Sequence, residues 1–361
     1  MKKIRETYGE TFIGQIVGEV TANFFQKRAN PQRFRDDLTQ QGYYVPTVDR
    51  DRFEAEQSLK THWKRHVDRF GNLCAMSGGL MTAPYFYEWG VPLVMVGSIN
   101  EAPFANNRSI LTMTRSGARQ YGKPWASYQT FYGGGTSPDS RFTENQVAKL
   151  VTKDNPWHVG LDFGLAASTA KRWQYLSYYC GANSHHYESQ PLGMVVENPD
   201  KSWSLTENGK AIKDIYEWSI KPKGKRGDFY APILLLADYY NGNWEWKRGA
   251  EWKTWYLQPY EDGDYMFQHI NRSFDPFPGH DFGKDYTLMA ERGWSLFNSK
   301  LGDIYDVFFA NPRSGTITMP ELGKYPVVLL TGAVDVTPEL FDRLKAYVHD
   351  GGTLIINAAQ A

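Results

Sequence analysis

Short, continuously apolar runs alternate with longer amphipathic stretches along this chain. The runs Phe12–Glu19, Leu73–Ser77, Pro92–Ser98, Trp125–Tyr132, Ala182–Glu188 and Pro232–Asp238 read as buried strands. Between them, Pro31–Gln41, Asp51–Arg69, Arg108–Tyr121, Ala166–Tyr179 and Leu205–Ile220 carry the spacing of helices, and Pro84–Trp89 that of a helical turn. Gly122 and Pro124 stop one helix, and Gly181 caps another. Residues Ser137–Gly164 are loop-like, with one short helix expected at Glu144–Val151. Apolar strands separated by helices predict an α/β fold with a parallel sheet. These strands end in polar or carboxylate residues and fit most of a (β/α)8 barrel, whose active sites lie at the C-terminal strand ends. On that reading the first two strands of the barrel are lacking. An open doubly wound sheet is the alternative, but no GxGxxG turn supports it.

After the Trp-rich stretch Asn243–Tyr260 the pattern predicts a second α/β unit. Its strands are expected at Asp264–Ile270, Val327–Leu330 and Thr353–Asn357, and its helices at Tyr286–Asn298 and Pro338–Val348. The expected organisation is therefore residues 1–242 as a barrel-like domain, 243–263 as a linker and 264–361 as a second parallel-sheet domain. The strand–helix–strand run that stops at Ala361 leads us to expect a chain cut inside its last domain.

Composition narrows the function classes. Forty basic and forty acidic side chains balance, so general attraction to nucleic acid or to an acidic membrane is not expected. No apolar run approaches the roughly 20 residues needed to span a bilayer. The start Met1-Lys2-Lys3-Ile4-Arg5-Glu6 is too polar for a signal peptide, and localisation stays open. Cys74 and Cys180 form no CxxC pattern or disulfide framework. Twelve Trp, 23 Tyr and 20 Phe form a large aromatic complement, suited to stacking on the apolar faces of sugar rings or to a Trp-rich core.

The segments GETFIGQIVGE, WGVPLVMVGSINE, SGARQYGKPWASY, YCGANSHHYE, LTENGKAIKDIY and FYAPILLLADYYNGNW follow one another in an order that resembles clan-A-like glycoside hydrolases. The β-galactosidase family that carries a glutamine-amidotransferase-like trimerisation domain is the most similar. GDIYDVFFAN, KYPVVLLTG and LFDRLKAYVHDGGTLIINAAQ resemble that second domain. The resemblance implies an incomplete (β/α)8 barrel followed by a partial flavodoxin-like, amidotransferase-like sheet. It also implies a β-linked glycan or galactoside-type substrate, no cofactor, and a chain open to homo-oligomerisation through its C-terminal domain. In such enzymes an Asn-Glu pair at a strand end holds the acid/base and a second strand-end Glu is the nucleophile. The matching positions are Asn100-Glu101 and Glu188. With Pro232–Asp238 as the eighth strand, Glu188 falls on the expected seventh, but Glu101 falls on the fifth rather than the fourth. Glu19, on the third, is the rival acid/base.

Glycoside hydrolysis needs two carboxyls flanking one bond, and Glu19, Glu101 and Glu188 all close apolar strands. Alternation puts His186 on the face of Glu188 and His185 on the other. A His/Glu metal site there lacks a third ligand at recognisable spacing, so no metal is expected. Trp125 and Tyr128, on the strand that runs to Tyr132, and Asp238 are further candidate substrate contacts, each with a packing or capping alternative. Other motifs fail. Gly160–Ala166 mimics a kinase metal-binding segment, but the catalytic-loop signature and strand Lys are absent. No GxSxG elbow exists, and Gly133-Gly134-Gly135 is a lone glycine run. The amidotransferase-like segment holds no cysteine, which excludes Cys-dependent glutaminase chemistry within it. The rival from another class is a non-catalytic glycan-binding pseudoenzyme or assembly scaffold.

Overall fold

The computed structural model describes residues 6–9, 13–17, 36, 39–42, 51–71, 73–77, 83–96, 107–129, 167–187, 194–220, 226–241, 253–254, 258–259, 261–266, 304–311 and 317–360. In chain order the first half gives β1 (Gln15–Val17), α1 (Arg52–Phe70), β2 (Leu73–Ser77), α2 (Ala83–Glu88), β3 (Val94–Val96), α3 (Asn107–Tyr121), β4 (Trp125–Gln129), α4 (Ala167–Tyr179) and β5 (Ser184–Tyr187). A hairpin of β6 (Val195–Glu197) and β7 (Trp203–Leu205) and helix α5 (Glu207–Ile220) follow. The second half holds β8 (Ile233–Asp238), the paired β9 (Lys253–Thr254) and β10 (Gln258–Pro259), β11 (Tyr305–Ala310), α6 (Met319–Leu322), β12 (Val327–Thr331), α7 (Pro338–His349) and β13 (Thr353–Ile355).

The protein is α/β, with two parallel sheets. In the first, β1 to β5 pair in chain order without interruption, and every pair is parallel. Among the described residues its helices share one face. Trp63 of α1, Phe86 and Tyr87 of α2, Leu111 and Ala118 of α3 and Trp173 of α4 pack with Leu73, Val94 and Trp125 of the strands. The opposite face carries a small cluster of Cys74, Met95, Ala126 and Tyr128, joined by Leu93 just before β3. This split is the period-2 alternation of strand side chains.

The second sheet has the order β11-β8-β12-β13, all parallel. This corrects the expectation for Pro232–Asp238. That strand is not the last of the first sheet but an interior strand of the second, paired to β11 on one side and β12 on the other. A fully apolar run signals burial on both faces and says nothing about which sheet supplies it. The strand expected at Asp264–Ile270 is also corrected: residues 262–266 form a helical turn, and 267–270 lie outside the described residues. So do the helices expected at Glu144–Val151 and Tyr286–Asn298 and most of the one expected at Pro31–Gln41.

Helices α1 to α3 lie between the two sheets. Ala55 and Leu59 of α1, Tyr85 of α2 and Met113 of α3 pack on Leu235, Ala237, Val307 and Phe309. The far face of the second sheet is covered by Leu322 of α6 and Leu340, Leu344 and Tyr347 of α7. Thr337 caps α7 by accepting from Leu340 N, with Pro338 at its first position. The helix layer is tight. A Cβ on Gly117 of α3 would stand 3.2 Å from the Pro84 backbone of α2.

Helix α3 also closes the open edge of β11. Gln120 donates to Phe309 O at 2.8 Å and accepts from Phe309 N at 3.1 Å, as a neighbouring strand would. Ser116 Oγ accepts from Val307 N at 2.8 Å, and Arg115 donates to Tyr305 O at 2.7 Å. An exposed strand edge presents unpaired backbone groups, and here one helix satisfies them. Beneath this edge Asp306 is fully buried. Arg115 Nε (2.8 Å), Ser116 Oγ (3.2 Å), Tyr325 OH (2.9 Å) and Arg119 all donate to its carboxylate. Burial pushes this carboxyl up, but the two guanidiniums outweigh burial and hold it below the usual carboxylate range.

Candidate functional site

The C-terminal ends of β1 to β5 are where the expected rim residues were sought. Glu19, Asn100, Glu101 and Glu188 lie outside the described residues, as do Tyr132 and Gly133-Gly134-Gly135. Of the residues that are described, Tyr128 and His186 come together. They are register partners on β4 and β5, and their rings stack at 5.2 Å and 13°. Tyr128 belongs to the strand-only face. Glu188 is the next residue but one after His186 in sequence.

Trp125 does not join them. It is 3% exposed and packs on the opposite, helix-facing side among Leu73, Val94 and Trp173. This corrects its reading as a sugar platform, because strand alternation places residues 125 and 128 on opposite faces. Asp238 is also elsewhere. It ends β8 in the second sheet and accepts from Tyr240 N at 2.8 Å, the capping role weighed as its alternative.

Behind the Tyr128–His186 pair lies a polar layer that the sequence did not single out. Trp173 Nε1 donates to Ser127 Oγ at 2.8 Å, and Gln174 donates to Gln129 Oε1 at 3.2 Å. His185 faces this side, as alternation predicts. Burial, aided by the Arg226 charge, lowers its pKa to about 4, so its imidazole is neutral near pH 7. Arg226 donates to the carbonyls of Ala182 and Gly181 and covers the Tyr178 ring at 5.0 Å. Burial pushes the Cys74 thiol up to about 11, which removes it as a nucleophile near neutrality.

A second concentration of polar groups sits where the second sheet reverses its strand order, between the ends of β8 and β12. In open α/β sheets this is the usual ligand crevice. Here the chain fills it. Asn241 Oδ1 accepts from Ala333 N at 2.9 Å, and a Cβ on either Gly263 or Gly332 would collide with that oxygen. Arg52, at the start of α1, donates to Tyr240 O (2.9 Å), Pro259 O (3.1 Å) and both oxygens of Asp264. Glu56, one turn on, accepts from Tyr239 OH (2.9 Å), Tyr240 OH (3.1 Å) and Trp89 Nε1 (3.2 Å). Nothing local in the sequence marks Arg52 and Asp264 as partners, since 212 positions separate them.

No protein-family model matches this sequence, and no curated protein matches it either.

The described residues contain no group of three His, Cys, Asp or Glu side chains that could hold a metal ion. No described helix is long and apolar enough to cross a membrane. The arrangement at the first sheet is thus an aromatic pair on a strand-only face, with buried neutral polar groups behind it.

Proposed function

We propose that the first sheet is part of a (β/α)8-type barrel wall and that the chain is a glycoside hydrolase acting at the C-terminal ends of its strands. The observation that carries this reading is the unbroken parallel order β1-β2-β3-β4-β5 with the helices, among the described residues, on one face. A doubly wound sheet reverses its order and carries helices on both faces, as the second sheet does, whereas a barrel wall does neither. The substrate class, a β-linked glycan or galactoside-type sugar, rests on the resemblance of the segments named above.

Glu188 is assigned as nucleophile and Glu101 as acid/base. Glu101 follows β3 and Glu188 follows β5, with β4 between them. Two interstrand steps separate their strands by about 9–10 Å, and a retaining pair needs its carboxyls roughly 5–5.5 Å apart. In the first step Glu101 protonates the glycosidic oxygen while Glu188 attacks the anomeric carbon, and the aglycone leaves. Water, deprotonated by Glu101, then cleaves the glycosyl–Glu188 bond. Tyr128 and His186 are assigned as aromatic and polar substrate contacts, and Asn100 and Glu19 as hydroxyl ligands.

One observation favours the rival reading, a non-catalytic glycan-binding scaffold. The resembling enzymes place their carboxyls three strands apart, whereas Glu101 is two strands and Glu19 four strands from Glu188. A panel of chromogenic glycosides and polysaccharides separates the two. Hydrolysis by the wild type, lost in Glu188→Gln with the fold intact, is the expected result. Near-normal turnover by that variant refutes the assignment of Glu188. Polysaccharide binding without hydrolysis of any substrate favours the scaffold.

A further inference from the structure

Independently of the hydrolase reading, we propose that the Gln129–Gln174 amide pair, between the end of β4 and helix α4, is a binding site for a single water molecule. Gln129 is 1% exposed and Gln174 is fully buried. Gln174 Nε2 donates to Gln129 Oε1 at 3.2 Å, which joins the two side chains at one end only. At the other end, Gln129 Nε2 and Gln174 Oε1 have no hydrogen-bond partner among the described residues. A buried amide left in this state costs stability, and most buried polar atoms of folded proteins are bonded for that reason.

The chemistry of the two free ends selects the ligand. One is an N–H donor and the other a carbonyl acceptor. Water accepts from Gln129 Nε2 and donates to Gln174 Oε1 through one oxygen, which closes a ring of three hydrogen bonds with the direct one. An anion would meet the donor but be repelled by the carbonyl, and a cation would do the reverse. Amide orientation does not alter this. Turning both amides over exchanges the atoms and still leaves one N–H group and one carbonyl free, whereas turning over one sets like against like.

The surroundings are of the same character. Ser177, fully buried on α4 three residues beyond Gln174, has a hydroxyl without a partner among the described residues, and so have both ring nitrogens of His185 on β5. Ser127, two residues before Gln129 on the same strand face, accepts from Trp173 Nε1 at 2.8 Å. The seam is therefore polar on its strand side and on its helix side. Internal water settles among such groups, while dry cavities are lined by apolar ones. The other face of β4, with Ala126 and Tyr128, belongs to an apolar cluster and offers no comparable pair.

A crystal structure of the full chain, at a resolution that shows ordered water, tests the site. The expected result is one density peak within about 2.7–3.2 Å of both Gln129 Nε2 and Gln174 Oε1. Two direct N–H···O bonds between the amides, another side chain in that place, or no peak overturns the proposal. Oxygen-17 relaxation dispersion reads the same site in solution. Replacing both glutamines together, Gln129→Met with Gln174→Met, keeps their length and removes their polar atoms. The number of long-lived internal waters should then fall by about one. An unchanged number in a folded double variant overturns the proposal. Should that variant not fold, the wild-type crystal density decides.

Discussion

The two sheets share parallel strands and a common helix layer, yet they are buried differently. The second is packed on both faces, by α1 to α3 on one side and by α6 and α7 on the other. Among the described residues the first has its helices on one face, and its other face carries a small cluster made of strand residues and Leu93. A sheet enclosed on both faces is the natural seat of stability. Both faces of the first sheet are buried too, since Cys74, Met95, Ala126 and Tyr128 are each no more than 5% exposed, but among the described residues no helix packs on that second cluster.

That contrast can be broken by substitution. The largest stability loss is expected from Asp306→Ala, which leaves Arg115 buried without its counter-charge. About 3–5 kcal/mol should be lost in chemical unfolding, and a loss under about 1 kcal/mol would mean that the two sheets do not depend on this link. Next come Leu235→Ala and Met95→Ala, compared directly. Leu235 is enclosed between β11, β12 and the helix layer and should cost about 3–4 kcal/mol, whereas Met95, on the small strand-only cluster, should cost about 2. Equal costs would erase the distinction between the sheets. The smallest effect is expected from Gly263→Ala, whose Cβ would press on Asn241 and stand 2.8 Å from Ala333 N. A loss of about 1 kcal/mol, the low end for overpacking, is expected as the Asn241 side chain gives way, and an unchanged midpoint would mean that the crevice has room.

Much of the element order was legible in the sequence, because continuous apolar runs and Gly or Pro punctuation mark strands and helix ends directly. The run Leu73–Ser77 forms a strand over that same span, and α3, α4 and α7 begin or end within a residue of expectation. Pairing was not legible. The apolar run Pro232–Asp238 is expected with the sheet before it in sequence, but its partners β11 and β12 both come later in the chain. At the candidate site, alternation alone separates Trp125 from Tyr128, and of the two readings open for Trp125 it is the packing one that the structure holds. The Arg52–Asp264 and Arg115–Asp306 pairs carry no local pattern, since each forms only when distant elements meet.

The Gln120 amide has a consequence for anyone dividing this protein. Cutting in the Trp-rich stretch after Asn243 would leave α3 on one fragment and β11 on the other. The same cut takes β8 away, so the C-terminal piece would carry β11 bare on both edges, at Val307 and Phe309 on one side and along its lost β8 ladder on the other, ready to template itself onto other copies, and precipitation would follow from a cut that looks harmless on paper.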